Sequence, residues 1–253
     1  MNTIWTTPEL ILALSLYYKI PFSKLNYKHP DIIKLSKIIN RTPSAVALKL
    51  VNFARLDPAL QSRKISGMKH GAKADIEIWN KYCNNLEELS FESELIIAKY
   101  KNRSIEYNSG IETVNLQKEG KEREALIKMR VNQQFFRFAI LASYENKCCI
   151  TGLDIPTLLI ASHIIPWSKD EKNRMNLSNG LCLNPLHDKA FDLGLITITP
   201  SFQVKLSSSL INSSNSAAKV FLQQYDCKTI SLPYKYIPNI EFLEYHNNNV
   251  FKK

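Results

Sequence analysis

The sequence lacks any apolar stretch long enough to cross a membrane. Its longest apolar runs, such as residues 10–14, are far shorter than the roughly 20 residues that a spanning helix requires. The chain also does not open with a charged segment followed by a long apolar one, which is the pattern of a secretory signal. We therefore predict a cytoplasmic protein with no membrane partner.

Cysteine is scarce, and its spacing is irregular. The chain has five cysteines, at positions 83, 148, 149, 182 and 227. An odd count without regular spacing argues against the disulfide framework of a secreted domain. The adjacent residues Cys148 and Cys149 also lack the spacer found between the ligands of a tetrahedral zinc site. We expect most of these thiols to be buried packing residues.

Acidic residues are too few to balance the basic ones. The 253 residues, enough for one large or two modest domains, include 33 Lys and Arg against 23 Asp and Glu, a formal net charge of +10. Such an excess attracts polyanions and adds binding affinity through counterion release. The charge therefore favours a nucleic-acid partner, and a generally lysine-rich composition is the alternative explanation.

The N-terminal part has the outline of a helix-turn-helix. A helix is predicted over residues 3–20 and a second over residues 30–39, and a third begins at Thr42-Pro43 after a short break. A helix, a tight turn and a capped helix are the parts of that motif. Its outer face is predicted to carry Arg41, Ser44 and Lys49, which suit phosphates and base edges. A plain three-helix bundle is the alternative interpretation.

The C-terminal part follows the order strand, loop, strand, helix. An amphipathic helix is predicted over residues 134–145, and a β-branched apolar segment at 157–167 indicates the first strand. A polar loop separates it from a second strand at 180–183. Asn184 and Pro185 then have the residue types of an N-cap and a first helical position, so a helix is expected to run through Phe191.

Several residues of this part have the chemistry of phosphodiester hydrolysis. His163 ends the first predicted strand, and a neutral imidazole can take a proton from water near pH 7. Asp188 and Asp192 share one helical face, and His187 is one residue earlier, near a helix start that favours phosphate. These three side chains are candidate ligands for a divalent cation, which acts as a Lewis acid on phosphate oxygens.

Short motifs spread over residues 117–253 together resemble the HNH nucleases, specifically a bacterial subgroup of the ββα-metal (His-Me finger) class. The matching segments are Phe136-Arg137, Ile140-Leu141, Tyr144, Cys149-Ile150-Thr151-Gly152, residues 161–168 (ASHIIPWS), Asn179-Gly180-Leu181 with Leu183, His187, and residues 191–194 (FDLG). The closing segment, with EFLEYHNNNVF at 241–251, also resembles that subgroup.

The resemblance implies a role for each histidine of the motif and for the asparagine between them. His163 matches the general base that activates water, and Asn179 matches the residue that braces the loop and helps to orient this base. His187 matches the histidine usually assigned to the metal. The implied cofactor is one divalent ion, with Mg²⁺ first and Mn²⁺, Ni²⁺ or Zn²⁺ as alternatives.

The sequence departs from the family pattern at the metal site. Many relatives carry an acidic residue or histidine just before the base, whereas this chain has Ser162. Counted from the central asparagine, Asp188 is an alternative to His187 as the metal ligand, and Asp192 either completes the site or orders the helix. The paired thiols of a structural zinc are replaced by Gly152 and Asn184, so no such zinc is expected.

The sequence thus predicts an α+β protein, with a helical, helix-turn-helix-like DNA-binding domain at 1–86, a connector at 87–130 and an HNH nuclease domain at 131–253. The predicted function is metal-dependent cleavage of double-stranded DNA in restriction or defence, with Arg130 or Arg137 holding flanking phosphates and a homodimer as the assembly. The alternatives are a non-catalytic DNA-binding protein with a retired nuclease fold and an RNA nuclease. His246 is expected to be exposed near the C-terminus and to have no role.

Overall fold

The computed structural model describes residues 4–63, 71–110 and 120–253. Contacts within the chain divide it into two compact units, Met1–Ala139 and Ile140–Lys253. The domain limits at residues 86 and 130 stay a prediction, and residues 111–119 of the expected connector lie outside the described residues. Helices and short antiparallel sheets are both present, which confirms the α+β class. No helix in the described ranges is both long and apolar enough to span a membrane.

The first unit is helical throughout the part of it that the structure describes. Its helices are α1 (Thr7–Lys19), α2 (Pro30–Ile38), α3 (Pro43–Ala54), α4 (Pro58–Gln61), α5 (Lys73–Tyr82), α6 (Leu86–Tyr100), α7 (Ile105–Asn108) and α8 (Lys121–Ser143), the last of which continues into the second unit.

Helix α1 is the centre of this unit. Its start is fixed by Glu9, whose carboxylate accepts hydrogen bonds from the backbone nitrogen of Thr6 at 2.7 Å and from its hydroxyl at 3.0 Å. Residues 9–15 are all buried, and α1 packs against α3, α5 and α6. A helix that is apolar on nearly every side belongs in a core, where neighbours cover all of it.

Helices α2 and α3 confirm the predicted helix, turn and helix. Pro30 and Pro43 occupy first-turn positions, and the Thr42 hydroxyl accepts from the backbone nitrogen of Ala45 at 3.2 Å. Between the helices Asn40 has φ 51°, a left-handed conformation that asparagine tolerates better than most residues. The turn is therefore encoded by local residues.

The second unit contains two small sheets and several short helices. In chain order these are β1 (Ile160–His163), β2 (Gly180–Leu183), α9 (Pro185–Asp192), β3 (Ile196–Ile198), β4 (Val204–Leu206), α10 (Ser208–Ile211), α11 (Ser216–Phe221) and α12 (Ile240–Asn249). Strand β1 pairs antiparallel with β2, β3 pairs with β4, and α9 packs against β1 and β3. The predicted strand, loop, strand, helix order is confirmed.

Strand β1 is shorter than the predicted segment 157–167. A 3₁₀ turn at Pro156–Leu158 precedes it. After His163 the chain leaves the ladder, because the backbone nitrogen of Ile164 donates to the Asn179 carbonyl and that of Ile165 donates to the Asn179 side chain. The apolar residues beyond His163 are therefore buried by a loop and not by strand pairing.

The cysteines are free thiols. Cys148, Cys149 and Cys182 are buried, as expected, and burial raises the pKa of Cys149 well above its usual range. Cys227 is exposed, so its assignment to packing is wrong. It adopts φ 58° in the turn that leads toward the C-terminal segment, where its side chain finds no cover.

Candidate functional site

His163 lies at the end of β1, opposite Gly180 of β2. Its Nε2 is 3.0 Å from the carbonyl oxygen of Arg174. A carbonyl only accepts hydrogen bonds, so Nε2 carries the hydrogen and the lone pair is on Nδ1. Burial lowers the pKa of His163 below its usual value, against the opposing effect of the Arg174 hydrogen bond. The ring is therefore neutral at pH 7 and has one defined basic nitrogen.

Asn179 holds the loop that follows His163. The residue is 1% exposed. Its Oδ1 accepts from the backbone nitrogen of Ile165 at 2.8 Å, while its Nδ2 donates to the carbonyls of Ile165 at 3.2 Å and Asn173 at 3.3 Å. With the backbone bond from Ile164 to the Asn179 carbonyl, these contacts form what we call the Asn179 clamp. The clamp ties the start of the loop to its end.

Helix α9 carries the two carboxylates. It begins with the N-cap Asn184, whose side chain accepts from the backbone nitrogen of His187. Asp188 and Asp192 are one helical turn apart, so they lie on one face. Burial raises the pKa of Asp188 and the nearby charge of Asp192 raises it further, while the Ser162 hydroxyl and Lys189 lower it. Burial likewise raises the pKa of Asp192.

Helix α9, which carries the carboxylate pair, packs against β1. The Ser162 hydroxyl lowers the pKa of Asp188, and Ser162 directly precedes His163. The oxygen-bearing side chains of Ser162, Asp188 and Asp192 thus belong to β1 and α9, the two elements that pack together, and His163 ends that strand. Two partly buried carboxylates, one of which raises the pKa of the other, form a site that favours a cation.

His187 lies on a different face of α9 from the two carboxylates. Consecutive residues on a helix are about 100° apart, so His187 and Asp188 do not share a face. The His187 ring contacts Tyr225 at 5.2 Å between centroids, and its Nδ1 is 3.0 Å from the Asn184 side-chain oxygen. Burial lowers the pKa of His187 to about 4. Of the two ligands left open by the sequence, Asp188 is the one that shares a helical face with Asp192, and the choice between them stays a prediction.

The donor set fits a hard divalent cation. Mg²⁺ is commonly held by one or two carboxylates, with water and substrate phosphate completing its octahedron, and it prefers oxygen ligands. Asp188 and Asp192 supply such a pair. Within the described ranges no cluster of three or more His, Cys, Asp or Glu side chains is suited to a metal ion. A structural zinc site needs four nitrogen or sulfur ligands, and the carboxylate pair does not provide them.

His246 is a residue whose place the sequence did not reveal. It is 1% exposed, so the expected exposure is wrong. Its Nε2 donates to the carbonyl of Phe191 at 3.1 Å, and its Nδ1 accepts from the Thr197 hydroxyl at 2.8 Å. The ring stacks on Phe191, with centroids 3.7 Å apart. His246 thereby anchors the end of α9 next to Asp192. Its spacing from Phe242 and Leu243 on one helical face is the signal that would have indicated burial.

The basic residues assigned to DNA binding in the first unit are mostly engaged elsewhere. Arg41 forms a two-pronged ion pair with Glu9, with N···O distances of 2.7 and 2.9 Å. Lys49 is 6% exposed and its Nζ lies 2.7 Å from Asp75. The prediction that Arg41 and Lys49 lie on an outer face is therefore wrong, because carboxylates from other helices pair with them. Ser44 alone of the three is exposed.

The two arginines of α8, Arg130 and Arg137, are the remaining candidates for phosphate contacts. Arg130 is exposed on α8, and Arg137 is half-buried there. Both belong to the first unit, whereas His163 and the carboxylates belong to the second. Their role stays a prediction.

The comparison with protein families agrees with this site. The model of the HNH endonuclease family matches residues 148–199, which include β1, β2 and α9 with His163, Asn179, Asp188 and Asp192. This match supports an HNH nuclease domain in the C-terminal half of the chain. A comparison with curated proteins found no match.

Proposed function

We propose that the protein is a metal-dependent endonuclease that hydrolyses phosphodiester bonds in double-stranded DNA. The observation that carries the proposal is that β1, which ends in the neutral imidazole of His163, packs against α9, which carries Asp188 and Asp192. The HNH match supports nuclease chemistry, and the net charge of +10 supports a polyanionic substrate. A role in restriction or defence, a cytoplasmic location and a homodimeric state belong to the same proposal.

His163 performs the proton transfer in this proposal. Its Nδ1 accepts a proton from the attacking water, because the bond from Nε2 to the Arg174 carbonyl fixes the tautomer. The lowered pKa keeps this nitrogen unprotonated at neutral pH. The Asn179 clamp keeps the loop, and with it the Arg174 carbonyl, in place. Asn179 is accordingly a positioning residue.

Asp188 and Asp192 would hold one divalent cation, with Mg²⁺ preferred and Mn²⁺, Ni²⁺ or Zn²⁺ as other candidates. When bound, the cation supplies Lewis-acid stabilisation of charge on the scissile phosphate and the departing oxygen. The Ser162 hydroxyl helps to keep Asp188 ionised, which favours cation binding. Arg130 and Arg137 would hold flanking phosphates.

Incubation with supercoiled plasmid tests the proposal. Wild-type protein is expected to nick or linearise the plasmid with Mg²⁺, Mn²⁺ or Ni²⁺ and to be inactive with EDTA. His163→Ala should reduce the rate about 10²- to 10⁴-fold, the usual contribution of a general base. Asp188→Asn should also raise the metal concentration needed for half-maximal rate. Asp154→Asn, at an exposed carboxylate of the same unit, is the matched control and should cleave normally.

Two results would replace the proposal. Cleavage of RNA but not of DNA would make the protein a ribonuclease. Binding of DNA without cleavage of DNA or RNA under every metal condition would make it a non-catalytic DNA-binding protein.

A further inference from the structure

An open recess lies beside α9, on the side occupied by His187. Its volume is about 630 Å³, within the ~300–1,000 Å³ range of small-molecule sites. Its lining includes Leu158, Asn184, Leu186, His187, Phe221 and Tyr225. Among the residues described, neither carboxylate of α9 nor His163 contributes to this lining. The recess is thus separate from the proposed catalytic groups, although it shares their helix.

The recess has one unsatisfied polar group. The Asn184 Oδ1 is 3.0 Å from both the backbone nitrogen and the Nδ1 of His187. An amide oxygen only accepts, so Nδ1 of His187 carries the hydrogen and Nε2 carries the lone pair. This Nε2 is buried, in a residue that is 3% exposed, and it has no hydrogen-bonding partner among the residues that the structure describes. His187 is part of the lining, so its ring brings to this recess an acceptor that still requires a donor.

The rest of the lining suits a flat aromatic occupant. Tyr225 meets the His187 ring edge to face, and Phe221 is 55% exposed at the rim. Leu158 and Leu186 are each 47% exposed and add apolar surface. The Lys228 ammonium is 5.6 Å from the centre of the Tyr225 ring, so a cation is available at this edge.

We propose that this recess binds a nucleobase turned out of the helical stack of the nucleic acid on which the protein acts. Every nucleobase has an N–H group to donate to His187 Nε2, and its faces stack on aromatic side chains. Lys228 would then pair with a flanking phosphate. An apolar protein side chain would fill the space but leave the acceptor unsatisfied. This inference rests on the proposed function, since it assumes a nucleic-acid substrate.

Fluorescence anisotropy with short DNA duplexes tests the inference. The His163→Ala variant is used so that the DNA is not cleaved. It is titrated with a duplex that contains one mismatched adenine, and separately with the same duplex in which an abasic residue replaces that adenine. Because stacking contributes about 1–3 kcal/mol per base, the adenine duplex should bind about fivefold or more tightly. Adding His187→Phe, which keeps an aromatic ring but removes the acceptor, should lower this ratio, because the base loses its hydrogen bond.

Two further variants guard against misfolding and misassignment. Phe221→Ser changes an exposed rim residue and should also lower the ratio. Val220→Ser changes its equally exposed neighbour, which is not part of the lining, and should leave the ratio unchanged. In the otherwise wild-type protein, His187→Phe should leave the metal concentration for half-maximal cleavage unaltered.

The failures are distinguishable. Equal affinity for the adenine and abasic duplexes in a protein that cleaves DNA overturns this inference and leaves the nuclease proposal standing. An increased metal requirement in His187→Phe makes His187 a metal ligand and also overturns it. A protein that binds neither duplex and cleaves nothing overturns both.

Discussion

The buried ion pair between Lys49 and Asp75 should make a measurable contribution to the stability of the first unit. The side chains are 7% and 0% exposed, and the N···O distance is 2.7 Å. Within the described part of the chain, the second oxygen of Asp75 has no hydrogen-bonding partner. Lys49→Met keeps the aliphatic volume and removes the charge. The Asp75 carboxylate then stays buried without its counterion, which typically costs about 3–5 kcal/mol.

The assay is urea unfolding followed by tryptophan fluorescence, with buried Trp79 as the reporter in this unit. At a slope of about 2 kcal/mol per molar urea, the expected loss lowers the midpoint by about 2 M. The double variant Lys49→Met with Asp75→Leu should recover most of this loss, because an apolar pair of similar volume removes both buried charges. Lys37→Met, at an exposed lysine of α2, is the control and should unfold like wild type.

A DNA titration tests whether Lys49 instead contacts a DNA phosphate. Folded Lys49→Met protein should bind DNA with unchanged affinity and unchanged salt dependence. An unchanged urea midpoint combined with a weaker affinity and a shallower salt slope would refute the reasoning, since Lys49 would then be a phosphate contact.

Three further predictions concern the second unit. Burial lowers the pKa of His246 from 6.5 to about 4, so its contribution to stability is complete above pH 6.5, and about 3 kcal/mol is lost as the pH falls toward 4. The urea midpoint should therefore depend less on pH in His246→Gln than in wild type, and an identical dependence would contradict this prediction. Gly194→Ala places a side chain at a left-handed backbone position (φ 69°) against the Val250 carbonyl, so it should lower the free energy of unfolding by about 1–2 kcal/mol or more in the same assay. An unchanged urea midpoint would contradict this prediction. Asn179→Ala removes three side-chain hydrogen bonds, which should cost about 2–4 kcal/mol and lower the cleavage rate; a fully active, equally stable variant would show that the clamp is dispensable.

Local sequence signals predicted helix starts well. The dipeptides at Thr42 and Asn184 each place a capping side chain before a proline, and both helices begin at the following residue. Such signals act within about four residues, so they do not depend on the rest of the fold. The strand order and the pair of acids on one helical face were also readable, because alternation and helical periodicity are local properties.

Tertiary partners could not be predicted in the same way. Lys49 is neutralised by a residue 26 positions away, and Arg41 by one 32 positions away. A basic side chain on a predicted helix has the same local pattern whether it faces solvent or a distant carboxylate. His246 illustrates the same limit, since its burial depends on Phe191 and Thr197, which are far from it in sequence.

The Asn179 clamp also bears on how this protein can diversify. Its bonds close a loop between Ile165 and Asn179, 14 positions apart, at the base of that loop. Closing a somewhat longer loop costs little additional entropy, and surface loops accept insertions more readily than strands do. The segment after Trp167 and before Asn173 can therefore change in length and composition while the strand pairing and the clamp are kept. New substrate preferences could arise there by small sequence steps, provided that the Arg174 carbonyl keeps its place against His163.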